Sequence, residues 1–193
     1  MDPQVEALLQ MMAAQAQATK APQMWELPAA EARANADAGF ALFNQPMPGS
    51  VAVADRVIPG PAGEIPVKVF TPAGDGPFPL LVFLHGGGWV IGSPETHAKL
   101  CAELAEGAGV VVVSVHYRLA PEHVPPASLD DCVAAIRWSV ANAAELNADG
   151  SRFAVGGDSA GGNLTAASVL RMRDEGGPQA KLQLLFYGAF TGD

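Results

Sequence analysis

From Asp2 to about Asn44, apolar residues recur at helical spacing in a stretch rich in Ala, Gln, Glu and Met: Val5, Leu8, Leu9 and Met12, then Ala30, Ala34, Ala38 and Leu42. The spacing predicts two helices joined through APQMWELP. After NQPMPGS the period shortens to two: VAVADRVI and IPVKVF alternate apolar and polar positions on either side of the turn PGPAGE, which predicts two antiparallel strands. PLLVFL and GVVVVSV are continuous β-rich runs, the pattern of strands covered on both faces. Between them THAKLCAELAE has helical spacing that places Leu100, Leu104 and Ala105 on one side. The alternation continues through a helix (LDDCVAAIRWSVANAAEL), a strand (RFAVGG), a helix (GNLTAASVLRMRDEG) and a last strand (KLQLLFYGA). Strands alternating with helices imply an α/β fold with a mostly parallel sheet of six strands and helices on both faces.

Composition narrows the setting. With 193 residues, 49% of them hydrophobic, the chain can bury a sizeable core. Twenty acidic against eleven basic residues provide no footprint for a phosphate backbone, so no nucleic-acid partner is expected. The start MDPQVEALLQMMAAQAQ lacks the basic region and unbroken apolar run of a secretory signal, and no later run approaches the ~18 apolar residues that span a bilayer. No membrane partner is expected either. Cys101 and Cys132 have no CxxC partner and read as buried packing residues of a cytoplasmic protein.

Two glycine-rich stretches carry the candidate chemistry. GGDSAGG contains G-x-S-x-G as Gly157, Asp158, Ser159, Ala160 and Gly161, where a strand ends and a helix begins. Such a turn holds a serine in a strained conformation with its hydroxyl raised above the sheet, and small neighbours permit the close backbone approach. A serine attacking an acyl carbon also needs N–H donors for the oxyanion. In LVFLHGGGWVIGS, Gly86, Gly87 and Gly88 follow a buried strand with unshielded amides. Neither cluster has the GK[ST] of a P-loop or the G-x-G-x-x-G of a dinucleotide site, so no cofactor is expected. In YRLAPEH, the polar residues Tyr117, Arg118, Glu122 and His123 read as a scaffold bracing the loops. His116, His123, Asp130 and Asp131 match no zinc or calcium spacing, and no metal is expected.

The two glycine motifs, with VHYRLAPEHVPPASLDD between them, resemble the hormone-sensitive-lipase-like (family IV) carboxylesterases and lipases of the α/β-hydrolase fold. The resemblance implies that Ser159 is the nucleophile and that the N–H groups of Gly87, Gly88 and Ala160 form the oxyanion hole. It makes His85 a loop-ordering residue and not the base, with Gly86, Gly157, Asp158 and Gly161 supporting the motifs. Residues 1–45 would be cap helices that help choose the substrate, and 46–193 a partial hydrolase core. In this fold the chain order is serine, then acid, then histidine. The four histidines, His85, His97, His116 and His123, all precede Ser159, and the later acids Asp174, Glu175 and Asp193 fall at a helix end and the terminus.

The family's sheet has eight strands, so the acid, the histidine and a C-terminal third are expected outside these residues. The 193 residues alone would then be weak or inactive, and LQLLFYGA would be an apolar edge strand open to a second copy or to the missing segment. The expected reaction is hydrolysis of small-molecule esters with short to medium acyl chains. A non-catalytic binding module and an acyltransferase are the alternatives.

Overall fold

The computed structural model describes residues 2–19, 22–42 and 44–190. Asp193 and the side chain of Met12 lie outside the described residues. The six apolar runs form strands β1 (Ala52–Gly60), β2 (Gly63–Thr71), β3 (Phe78–Leu84), β4 (Val111–Val115), β5 (Ala148–Asp158) and β6 (Leu182–Phe186). They make one sheet in the order β1-β2-β4-β3-β5-β6. β1 and β2 pair antiparallel from Ala52↔Thr71 to Gly60↔Gly63, so the hairpin turns on Pro61 and Ala62. β2 meets β4 antiparallel, and β4, β3, β5 and β6 run parallel.

The continuous runs became inner strands because both of their faces are covered. Side chains alternate across a strand, so Leu80, Val82 and Leu84 of β3 enter one core while Leu81 and Phe83 enter the other. Helices α4 (Ala127–Ala141) and α5 (Ala160–Asp174) bring Ile136 and Met172 to the first core. Helix α3 (Ala98–Ala108) brings Cys101, Ala102 and Ala105 to the second. Both cysteines are free and buried. Leu100, expected on the packed side of α3, is exposed, while Leu104 flanks the core.

The helix expected over 129–146 ends early. Asn142 leaves the helical region at φ −109° and its side-chain amide donates to the Trp138 carbonyl at 2.8 Å; a separate tight turn follows over Ala143–Leu146. Asparagine competes with the backbone for such hydrogen bonds, which is why it breaks the period here.

The two expected N-terminal helices are α1 (Pro3–Thr19) and α2 (Ala29–Ala41), with a tight turn at Met24–Glu26 between them. The helical period in α2 was legible but its phase was not. Ala32 and Ala36 are buried, whereas Ala30, Ala34, Ala38 and Leu42 are exposed. Polar anchors decide the phase: Arg33 donates to the Val90 and Ala120 carbonyls, and Asn44 just beyond the helix donates to the Glu95 and Thr96 carbonyls. Val5, Leu8 and Leu9 of α1 are exposed, as are Leu182, Leu185 and Phe186 on the outermost strand β6. Among the described residues, no helix is long and apolar enough to cross a membrane.

Because Ile136 is fully buried between α4 and the sheet, Ile136→Ala is expected to lower the unfolding free energy by about 2–5 kcal/mol. Val57→Ala on the exposed face of β1 is expected to stay within about 0.5 kcal/mol. Urea denaturation of both variants checks the contrast.

Candidate active site

Ser159 occupies the single residue between β5 and α5, at φ 51° and ψ −117°. For a residue with a side chain this backbone conformation costs on the order of 1–3 kcal/mol, and it persists only where neighbours over-determine it. They do so on three sides. The Ser159 N–H donates to the Phe186 carbonyl at 2.9 Å, and its carbonyl accepts from Asn163 N–H at 3.2 Å and Ala189 N–H at 3.4 Å. Residues 155–158 and 160 are buried while Ser159 keeps partial exposure, so this residue is the accessible one among covered neighbours.

The glycine loop after β3 is locked to this turn. Asp158 accepts the Gly86 N–H at 2.9 Å across 72 residues of sequence. A Cβ on Gly86 would overlap the Asp158 carboxylate, and one on Gly157 or Gly161 would overlap the Leu84 carbonyl oxygen. The flanking glycines are therefore the condition for β3 and the start of α5 to touch. Beyond Gly86 the chain turns outward: Gly87 has φ +125° and is half-buried, and Gly88 has φ +59° and is exposed with open space beside it. Ala160 is the first residue of α5, a position whose N–H has no partner within the helix.

Two histidines lie beneath the loop with different partners. His85 is fully buried; its ring stacks on Tyr117 at 4.3 Å and its Nδ1–H donates to the Gly86 carbonyl at 2.8 Å. Burial pushes its pKa down to about 3, so the ring is neutral at neutral pH. The Tyr117 hydroxyl donates to the His85 carbonyl at 2.6 Å. His97, which the sequence reading left without a role, has its Nε2 3.3 Å from Asp158 Oδ1 and its Nδ1 2.8 Å from Thr96 Oγ1. Burial alone would raise the Asp158 carboxyl, but the hydrogen bond and charge of His97, with the Gly86 N–H, hold it below the ordinary range.

Of the YRLAPEH residues, Tyr117, Arg118 and Glu122 each tie to a different element and not to one another, whereas His123 does not brace a loop. Tyr117 holds His85, Arg118 forms a two-pronged pair with the buried Asp131 of α4 at 2.8 Å on each prong, and Glu122 pairs with Arg33. His123 is exposed and lines a cavity of about 420 Å³ together with Gly88, Trp89, Leu129 and Asn163. Asp130 pairs with Arg171, so both acids weighed for a metal face arginines. Among the described residues no three His, Cys, Asp or Glu side chains converge on a point. Arg33, like His97, was missed: nothing in an alanine-rich helix marks one arginine as special.

A model of the family described as alpha/beta hydrolase fold matches residues 81–192, more than half of the chain. The chain belongs to that family. It is 50% identical over 149 residues to the carboxylic ester hydrolase LipN of Mycobacterium tuberculosis, covering 73% of this chain and 40% of that protein. It is 37% identical over 194 residues to the ethyl acetate hydrolase of Pseudomonas putida, covering 97% of this chain and 60% of that one. An ester-hydrolase from the metagenome of Lake Arreo superposes with a TM-score of 0.93 at 39% identity, covering 99% of this chain and 61% of the other. The hydrolase fold and the esterase kinship implied by the two glycine motifs are thus found. The chain spans less than two thirds of the length of each of these relatives.

The hydrolase turn makes two stability predictions. A Cβ on Gly161 meets main-chain oxygens that cannot swing aside, so Gly161→Ala is expected to cost about 1–3 kcal/mol or more. Gly88→Ala, in open space, should cost only the ~1–2 kcal/mol of a left-handed backbone. Chemical denaturation ranks the two.

His85 gives a further prediction, on pH. The unfolded imidazole titrates near 6.5 and the folded one at about 3, so below pH 6.5 the unfolded chain takes up a proton that the folded chain refuses, and stability falls. His85→Gln is expected to flatten the dependence of unfolding free energy on pH between 6.5 and 4 by up to ~1.4 kcal/mol per pH unit. An unchanged slope would mean that the ring is not held neutral by burial.

Proposed function

We propose that the protein hydrolyses carboxylic esters of small molecules through an acyl-serine intermediate on Ser159. The observation that carries this reading is the partly exposed serine at positive φ, locked by the Gly86–Asp158 hydrogen bond to the loop that carries Gly87 and Gly88. In the proposed reaction a histidine outside residues 1–193 takes the Ser159 hydroxyl proton as Oγ bonds to the ester carbonyl carbon, and the π electrons of the carbonyl move onto its oxygen. The N–H groups of Gly87, Gly88 and Ala160 hold that oxyanion. Collapse breaks the bond to the alkoxy oxygen, which leaves as the alcohol with the proton held by that histidine; water, giving a proton to the same histidine, then attacks the acyl carbon, and the acid leaves as Ser159 Oγ takes that proton back. Neither of the two histidines beneath the loop suits the role of base: His85 is buried and tied to Gly86, and both nitrogens of His97 are engaged.

The names of the relatives support an ester as substrate, and the ethyl acetate hydrolase, similar over nearly the whole chain, favours a short acyl group. Residues 1–45 are proposed to contribute a cap over the acyl pocket, in a cytoplasmic protein. No histidine follows Ser159 in this sequence, so residues 1–193 taken alone are proposed to be slow, retaining the ~10³–10⁴-fold acceleration over water that an oxyanion hole and binding supply without a triad.

Assay with p-nitrophenyl acetate and butyrate tests the reading. Ser159→Ala in the intact protein should lower kcat by about 10⁴-fold or more and abolish labelling by a fluorophosphonate. Turnover that survives the substitution would overturn it. For residues 1–193 alone the expected outcome is slow labelling, no burst, and turnover no faster than that residual acceleration.

A further inference from the structure

Arg33 projects from α2 into the junction of the two loops that frame the candidate site. Its Nε–H donates to the Val90 carbonyl at 2.7 Å, one Nη to the Ala120 carbonyl at 2.8 Å, and the guanidinium fork grips both oxygens of Glu122 at 2.9 and 2.6 Å. An exposed arginine–glutamate pair contributes little by itself. Here, however, two of the four bonds go to main-chain oxygens of separate loops, 57 and 87 residues away in sequence.

The direction of those bonds is the informative part. The Val90 carbonyl shares a peptide unit with the Ile91 N–H, which donates to the Gly87 carbonyl at 3.0 Å. The Gly87 carbonyl in turn shares a peptide unit with the Gly88 N–H. Both units are trans, so each N–H points opposite to its carbonyl. A positive charge on the Val90 oxygen is therefore relayed through two aligned peptides to the Gly88 N–H. A second line runs in parallel: Ala120 N–H donates to the Trp89 carbonyl at 2.8 Å, and the Val90 N–H of that same unit donates to Gly87 at 3.1 Å. Arg33 holds the Ala120 carbonyl as well, so it touches the head of the first line and the residue that heads the second.

We infer that Arg33 is a positioning residue for ester hydrolysis, fixing and polarising the Gly88 amide from the N-terminal helix. The role rests on the proposed esterase reaction at Ser159. Hydrogen-bonded chains strengthen one another's dipoles, and a charged donor at one end raises the acidity of the N–H at the other. The gain falls on the oxyanion, so it appears in kcat and not in substrate affinity. Glu122 fixes the guanidinium, and that arginine's hydrogen bonds hold its carboxyl down at about 2, so the pair remains charged throughout the working pH range.

The test uses the intact protein and four variants. Arg33→Lys keeps the charge but cannot fork between two carbonyls and a carboxylate. It is expected to lower kcat for p-nitrophenyl butyrate by about 10–100-fold with KM within about threefold. Inhibition by a trifluoromethyl ketone, whose hemiketal oxygen needs the same amides, should weaken in parallel. Ethylguanidinium added to Arg33→Ala should restore part of kcat. Glu122→Gln, an exposed change that leaves Arg33 in place, is expected to lower kcat by about 3–10-fold, and it decides the matter should the Arg33 variants fail to fold. Wild-type kcat in folded Arg33→Lys or in Glu122→Gln, or a raised KM with kcat unchanged, would overturn the inference. Ser159→Ala separates this from the broader reading: if its activity persists, the esterase reading falls. If turnover depends on Ser159 but not on Arg33 or Glu122, only the positioning role falls.

Discussion

The contact on which the site depends is the close approach of two backbones, the end of β3 at Leu84–Gly86 and the turn Gly157–Gly161 between β5 and α5. Parallel pairing of Leu84 with Gly157 brings the strand ends level, but pairing alone would leave the following loops free. Removing the Cβ at 86, 157 and 161 lets main chain reach main chain, and the Gly86 N–H then finds the Asp158 carboxylate. A loop and a turn that each lack regular structure thereby become one rigid body. The strain at Ser159 is tolerable because that body, and not the serine, determines its backbone angles.

What the sequence disclosed follows from this physics. Glycine in a turn is visible because few other residues can replace it, so GGDSAGG and HGGG pointed to the elbow and the loop, and the unbroken runs of β3 and β4 pointed to buried parallel strands. The phase of α2 was hidden for the opposite reason. Alanine fills both faces of that helix, so apolar spacing cannot choose between them, and the choice falls to single polar groups at Arg33 and Asn44 whose partners lie more than fifty residues away. Long-range hydrogen bonds of this kind leave no period in a sequence.

The histidines show the same limit from the electrostatic side. His85 and His97 sit with ring centres 5.7 Å apart, and neither residue type nor spacing distinguishes their tasks. Environment does. Stacked on Tyr117 and cut off from water, His85 is held neutral and serves as a donor to the Gly86 carbonyl. Beside Asp158, His97 helps keep that carboxyl ionised, and the ionised carboxyl is the acceptor for the Gly86 N–H. The two rings thus fix the Gly86 peptides from opposite ends, one at the carbonyl and one through the acid at the amide.

A sheet places the ends of its strands level, yet it cannot orient an amide four residues past the end of β3. That orientation has to come from groups outside the sheet, and in this chain it arrives through peptide units aligned head to tail from Arg33 to Gly88. The arrangement ties the N-terminal helix to the loop beside the serine by bonds to the backbone, which no side-chain change within the loop would remove. Any displacement of α2 that lengthens the Arg33–Val90 bond also relaxes the amide it orients. The position of α2 and the orientation of the Gly88 amide are, on this geometry, one mechanical variable.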